Sequence, residues 1–424
     1  MEFKIEDHTI FVTLHGSHAY GMSGPESDVD IKGVAVPPKS YFHGFFNRFE
    51  QYEGQFPRDF RGQDGFISRS VSPQPPLLSW KNKTFIERIE DTVGRSIPPD
   101  EQIDSTIYDI RKFFKLAADC NPNIIEVLFT DEAHHLVSSE HWKRILEKRD
   151  LFLSTKAKFR FCGYAFSQLK RIKTHRAWLL NPPKTKPTRA DFGLPERSLL
   201  SRDHREAAEG LIKKKVEEWI LLPDELPREV LESVRRNTAS ALKEMWEGLA
   251  ADCYVRDGES YKPIIPPLDD FNDFNVSELS NAAGRVLGYN TNFLELLDKE
   301  RRYKGALKYY KQYQEWKANR NPARAAMEAQ FGYDGKHASH LVRLLRMAEE
   351  ILSKGVVNVH RHDAEELLSI RKGAWEFDEL LEWADKQQEK LNKIYDEKLS
   401  PLPRTPDYHK INQLCMEVVE KVIR

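Results

Sequence analysis

The sequence predicts an α+β protein: an N-terminal module of mixed strands with helices, followed by a large all-helical domain. Three observations carry this. Short segments rich in β-branched and aromatic residues, with polar alternation, recur before residue 110. Nearly everything from about residue 155 onward repeats its apolar residues every 3.6 positions, and the breaks in that repeat fall at NPPKTKPTRADFGLP, RDGESYKPIIPPLDDF and KLSPLPRTP. The boundary is placed near residue 150, so the expected domains are 1–150 and 151–424.

HTIFVTL reads as the first strand, ending at Gly16-Ser17; DVDIKGVAV reads as the second and QIDSTIYD, residues 102–109, as the third. Between the second and third strands the stretch from about 45 to 100 contains FISRSVSPQPPLLSW and SIPPD. Its prolines and its lack of helical period predict an irregular insertion of hairpins and loops. DIRKFFKLA then opens a helix with Asp109 as its N-cap.

The composition limits the function classes. With 40% hydrophobic residues, 31% charged residues and a formal net charge of -1 over 424 residues, the chain has the profile of a soluble globular protein, and its global charge selects no partner. MEFKIEDHTIFVTL lacks a positive start followed by an apolar run, and no stretch approaches the roughly 18 apolar residues of a membrane helix, so a cytoplasmic protein without membrane association is expected. Cys120, Cys162, Cys253 and Cys415 form no C-x-x-C pair, which predicts reduced, mostly buried thiols.

HGSHAYGMSGPESDVDIKGVAV, residues 15–36, carries the chemistry. On a strand, residues i and i+2 share a face, so Asp28 and Asp30 are expected side by side, with Lys32 next along the row as a solvated lysine or a phosphate ligand. Two carboxylates this close repel unless a cation lies between them, and a hard ion such as Mg2+ takes oxygen ligands of this kind. Gly16 permits close backbone approach, and the amides of a Gly-Ser turn with the Ser17 hydroxyl can hold triphosphate oxygens. A two-metal site needs a third carboxylate, for which Asp104 is the candidate, with Asp109 and Glu101 as alternatives.

G-S, a spacer of about ten residues, D-x-D and a single acid on a later strand together resemble the DNA polymerase β-like nucleotidyltransferase superfamily. GSHAYGMSGPESDVDIKGVAVPP, IRKFFKLAADCNPNIIEVLF, FRFCGYAFSQLKRIKTHRAW, RRYKGALKYY, GYDGKHASHLVRLLRMAEEIL and LLSIRKGAWEFDELL narrow the resemblance to predicted nucleotidyltransferases linked to RNA ligase and RNA repair. It implies transfer of a nucleoside monophosphate from a nucleoside triphosphate (NTP) by two Mg2+ ions, for which Mn2+ can substitute. Carried over by position, Gly16 and Ser17 match the phosphate-holding pair, Asp28 and Asp30 the metal ligands, and Asp104 the third carboxylate.

Residues 155–190 contain Arg160, Lys170, Arg171, Lys173 and Arg176 among ten basic residues and no acid, interleaved with Phe159, Phe161, Tyr164, Phe166 and Trp178. Basic and aromatic residues in one stretch are the combination that single-stranded nucleic-acid grooves use, so these positions, with Arg302 and Lys304 in a second basic run, are candidate RNA contacts. GKHASHLVRLLRMAEEIL splits into a face with His337, Leu341, Leu344, Ala348 and Ile351 and a face with Lys336, His340, Arg343 and Met347, the second expected to look into a nucleotide cleft. No further metal ligands accompany His337 and His340 in the sequence, so packing or phosphate contact is expected there rather than zinc. The preferred acceptor is an RNA, tRNA-like 3′ end; the alternatives are a protein side chain or small molecule, or a non-catalytic RNA-binding module.

Overall fold

The computed structural model describes residues 3–25, 27–60, 83–220, 254–257, 260–263, 276–320 and 322–423. They fall into two compact units, one of Met1–Asn181 with Asn321–Arg424 and one of Pro182–Arg320. The expected boundary near 150 does not coincide with this division, because helices far along the chain pack with the N-terminal helices that cover the sheet.

The first unit is built on five strands, β1 (Thr9–His15), β2 (Asp30–Ala35), β3 (Gln51–Gly54), β4 (Asp104–Asp109) and β5 (His135–Ser138), in the order β3-β4-β2-β1-β5. β2 and β4 run parallel and the other neighbours antiparallel, so the sheet is mixed. β1 is buried at all seven positions rather than alternating, because both faces of the sheet are covered. Val12, Leu14, Ile31 and Ile107 pack on one face with Phe85 and Ile89. Ile10, Phe11 and Val34 pack on the other with Phe113, Ile125, Trp142 and Phe161. Gly33 is the tight point of the sheet, since a Cβ there would lie 2.3 Å from the Phe11 carbonyl oxygen.

The helices of this unit's first part are α1 (Gly16–Ala19), α2 (Ser40–His43), α3 (Phe85–Val93), α4 (Ile110–Ala118), α5 (Pro122–Leu128), α6 (Glu140–Leu146) and α7 (Lys156–Leu180). α3 corrects the expectation of hairpins and loops over 45–100, although 61–82 lie outside the described residues. Its start is a capping box in which Thr84 accepts from the Glu87 amide and Glu87 reaches back to the Thr84 amide, a T-x-x-E signal present in the sequence. Asp109 caps α4 as expected, accepting from the Arg111 amide. α7 packs along the helix Gly335–Lys354, and the helices Pro322–Phe331, Ala364–Arg371, Phe377–Asp396 and Tyr408–Val422 also belong to the unit.

Within the second unit, helices Arg202–Ile220, Val276–Val286 and Thr291–Ala318 accompany a hairpin of strands Tyr254–Asp257 and Ser260–Pro263, a β element within the helical region. Its irregular entry is tied down by Arg189, whose guanidinium pairs with the buried Glu300 at 2.5 Å, while the Ser198 hydroxyl donates to the same carboxylate at 2.8 Å. Among the described residues no helix is long and apolar enough to cross a membrane. Cys120 is buried and Cys162 and Cys415 half-buried, all three as free thiols; Cys253 lies outside the described residues.

Candidate active site

The sheet register brings three chain segments together at one end. His15 closes β1 and faces Asp30, which opens β2, and Asp30 in turn faces Asp104, which opens the parallel strand β4. Asp28 lies two residues before Asp30 and outside the strand, with Val29 buried between them and the Asp28 side chain exposed. The preceding turn is held by the Gly24 amide, which donates to the Ser27 hydroxyl at 2.8 Å, and by Arg95, which donates to the Ser27 carbonyl at 3.2 Å.

Gly16 begins the single-turn helix α1 with φ +66°, and a Cβ there would lie 2.6 Å from Asp30 Oδ2. Glycine at this position therefore lets the chain turn through the left-handed region and lets the Asp30 carboxylate lie against the backbone. The electrostatic consequence is visible at Asp30, whose carboxyl is pushed above the usual range first by burial, then by Asp104 and Asp28, against the opposing pull of Lys32 and Lys336. Oxygen donors that raise one another's affinity for a cation suit a hard divalent ion.

Of the alternatives for the third carboxylate, Glu101 forms an ion pair with Arg95 at 2.6 Å. Asp109 stands at the other end of β4, buried, as the cap of α4 and the partner of Arg111 at 2.7 Å. Asp104 is the acid that the register sets beside Asp30.

Asp28, Asp30, Gly16 and Ser17 line a cavity of about 870 Å³, within the range of small-molecule sites. The same cavity is lined by Arg171 of α7, Lys336, His337 and His340 of the helix Gly335–Lys354, and Arg371 and Lys372 at the end of the helix Ala364–Arg371. Arg371 and Lys372 were not among the sequence candidates; the R-K-G ending of a helix inside LLSIRKGAWEFDELL was the available signal. Basic residues and the acidic pair thus line one cavity.

Other candidates are placed differently. Arg343 borders the cavity but is only 1% exposed, and its guanidinium is ion-paired with the buried Glu126 and stacked 3.7 Å from the centroid of the Tyr20 ring. Tyr20 also donates to Glu126 at 2.5 Å. The expectation of direct phosphate contact by Arg343 is corrected: its charge is already answered, because leaving Glu126 unpaired in the interior would be costly. His340 accepts from Arg343 through Nδ1 at 3.2 Å, since a guanidinium can only donate, which leaves its proton on Nε2. Burial, followed by Arg343, His337, Lys336 and Arg171, pushes His340 down to about 3, so it is a neutral hydrogen-bonding group and not a cation.

Lys32 lies outside the cavity lining and is half-buried rather than solvated; burial lowers it while Glu126 and Asp30 hold it up. The two-face reading of GKHASHLVRLLRMAEEIL also fails in part, because the helix is enclosed and Met347 is fully buried.

Along α7, Lys170, Arg171 and Lys173 are exposed. Arg160 instead pairs with Asp119, and Arg176 donates to the Gly332 carbonyl at 3.0 Å and covers the Phe377 ring at 4.3 Å. The interleaved aromatics are not a base-stacking surface: Phe161 and Trp178 are buried, Phe159 meets Tyr395 edge-on, and the Tyr164 hydroxyl accepts from Asn121 at 2.9 Å. The acids missing from 155–190 are supplied by other segments. Arg302 and Lys304 are exposed on the helix Thr291–Ala318 of the second unit.

Residues 2–182 match the family model RlaP, described as the RNA repair pathway DNA polymerase beta family. A protein of Enterobacteria phage T4, "Uncharacterized 38.9 kDa protein in nrdC-mobD intergenic region", is 29% identical over 165 residues, which cover 38% of each chain. No solved structure matches the chain.

Proposed function

From the premise that residues 2–182 belong to the RNA repair pathway DNA polymerase beta family, a family of polymerase β-like nucleotidyltransferases, we propose that the chain transfers a nucleoside monophosphate from an NTP to a hydroxyl on RNA. The observation that carries this reading is one cavity lined by both Asp28 and Asp30 and by Arg171, Lys336, Arg371 and Lys372. A metal–triphosphate complex bound there would have its cations held by Asp28 and Asp30 and its phosphate oxygens met by the basic residues.

Asp28 and Asp30 are assigned as ligands of two Mg2+ ions and Asp104 as a ligand of one of them. When bound, Mg2+ supplies charge neutralisation and Lewis acidity to the phosphoryl group. Gly16 and Ser17 hold the triphosphate through backbone amides and the hydroxyl. Lys336, Arg171, Arg371 and Lys372 offset the negative charge that grows on the departing pyrophosphate. Asp104, beside Asp30 in the sheet, accepts the proton of the attacking oxygen as it bonds to the α-phosphorus and the bond to the pyrophosphate oxygen breaks. His340, neutral with its proton on Nε2, donates a hydrogen bond rather than charge.

The acceptor we favour is a tRNA-like 3′ end, reached over the exposed Lys170 and Lys173 of α7. A second reading keeps the chemistry and takes a protein side chain or a small molecule as acceptor; the burial of the α7 aromatics favours it, because the base-stacking surface is lost. Label from each α-labelled NTP, with Mg2+, is to be followed into total tRNA, protein and small metabolites by wild type and Asp28→Ala/Asp30→Ala. Label in RNA that vanishes in the variant supports the first reading. Label in protein or metabolites alone moves the function to the second, and no variant-sensitive label overturns both.

A further inference from the structure

A second cluster of ligating groups lies beside the cavity and is of a different chemical kind. His175 on α7, Asp334 and His337 each offer one ligand atom, and these atoms lie within 4.8 Å of one another. Asp334 is the N-cap of the helix Gly335–Lys354, where its Oδ1 accepts from the amides of Lys336 at 2.9 Å and His337 at 3.1 Å. That clasp fixes the carboxylate, and its Oδ2 stands 3.5 Å from His337 Nε2.

The His337 ring is oriented from its other side. Nδ1 lies 2.9 Å from Gln168 Oε1, and a carboxamide oxygen can only accept, so the Nδ1 hydrogen donates to it and Nε2 is turned toward Asp334. An imidazole held by a hydrogen bond at one nitrogen, with the other turned to a carboxylate oxygen, is the usual surrounding of a metal-bound histidine. The second imidazole is also held: His175 stacks on Trp178 with centroids 5.5 Å apart, and its Nδ1 is 4.0 Å from a carboxylate oxygen of the buried Glu328.

We propose that His175, Asp334 and His337 bind a divalent transition-metal ion of the zinc class, separate from the ions assigned to Asp28 and Asp30. Two nitrogens and one oxygen suit a borderline ion and not Mg2+, which takes oxygen donors. Three protein ligands leave a fourth position for water or another oxygen donor. The ion joins α7, which carries Arg171, to the helix whose first turn carries Lys336, and so braces the basic wall of the cavity. The sequence showed no such set, because its members are separated by some 160 positions along the chain.

The test uses Zn2+ alone, with Co2+ as a spectroscopic stand-in, on the full chain without nucleotide. Wild type and Asp28→Ala/Asp30→Ala are expected to retain one equivalent of zinc after dialysis and to give the visible bands of Co2+ bound to nitrogen and oxygen. His175→Gln/His337→Gln is expected to lose both, and Gln168→Ala to weaken zinc binding by about 10- to 100-fold, as loss of a supporting hydrogen bond does. Zinc lost in the aspartate variant and retained in the histidine variant would overturn the proposal, as would a wild type that binds no zinc. Should the histidine variant not fold, X-ray absorption at the zinc edge of the wild type decides: two imidazoles support the site, and their absence removes it.

Discussion

Two clusters of charge meet at the same end of the sheet, and they are finished differently. In one, Glu126, Arg343 and Tyr20 are buried and His340 half-buried, and Glu126, the hub, takes its partners from the interior. In the other, strand register sets Asp104 beside Asp30 and Asp28 precedes the strand by two residues; burial first, then these two acids, raises the Asp30 carboxyl. An ion pair closed off from water stabilises or orients; like charges gathered at the rim of a cavity cost stability and wait for a cation. The contrast separates the part of the cavity wall that is architecture from the part that is chemistry.

If this distinction holds, the largest effect follows from Asp30→Asn. Nucleotidyl transfer should fall at least about a thousandfold, the equivalent of roughly 4 kcal/mol of lost metal-borne stabilisation. The melting temperature should stay level or rise, because one of three repelling carboxylates is neutralised. A variant that loses activity only by unfolding would erase the distinction.

Glu126→Gln should do the opposite. It strands Arg343 in the interior and should cost about 3–5 kcal/mol in denaturant unfolding, while the double change Glu126→Gln/Arg343→Met should cost less than the single one.

Gly16→Ala tests the join between the clusters. The left-handed backbone should cost about 1–2 kcal/mol, and the added methyl group would displace the Asp30 carboxylate, so activity should fall by more than that strain implies. Equal losses of stability and activity would mean that Gly16 serves the turn alone.

The pH dependence is smaller and has opposite signs in the two clusters. Folded Asp30 keeps its proton to higher pH than the unfolded chain does, so its contribution to stability falls as pH rises through the carboxylate range, and Mg2+ or Asp30→Asn should flatten that fall. His340, at about 3, and the buried His135 of β5, at about 4, stay neutral while the unfolded chain takes up protons. Their contributions are complete above about pH 6.5 and decline as pH falls below it, by at most about 1.4 kcal/mol per pH unit each. Unfolding curves of His340→Gln between pH 7 and pH 4 should be shallower than those of the wild type.

What could be read from the sequence follows the same division. The strands carrying Asp30 and Asp104 were legible, because a strand's pattern is local and Asp109 was explained by the helix it caps; Asp28 was read onto the first of them and instead lies two residues ahead of it. The basic wall was only partly legible: Arg171, Lys336, Arg371 and Lys372 meet through helix packing across some 200 residues, and nothing in one segment records the others. The α7 stretch was legible only in part for the same reason. Its lack of acids looked like a polyanion stripe, whereas Asp119 and the Gly332 carbonyl answer Arg160 and Arg176 from elsewhere. Arg343 looked like a cleft cation because a helical repeat shows which residues share a face and not whether a buried glutamate already stands opposite.

The measurement closest to the central claim is calorimetric titration of NTPs into the wild type and into Asp28→Ala/Asp30→Ala, each with Mg2+ and with a chelator. We predict binding to the wild type that requires Mg2+ and weakens at least about tenfold in the variant. Equal affinity in the two proteins, or binding indifferent to Mg2+, would contradict the assignment of the acidic edge as a metal–nucleotide site.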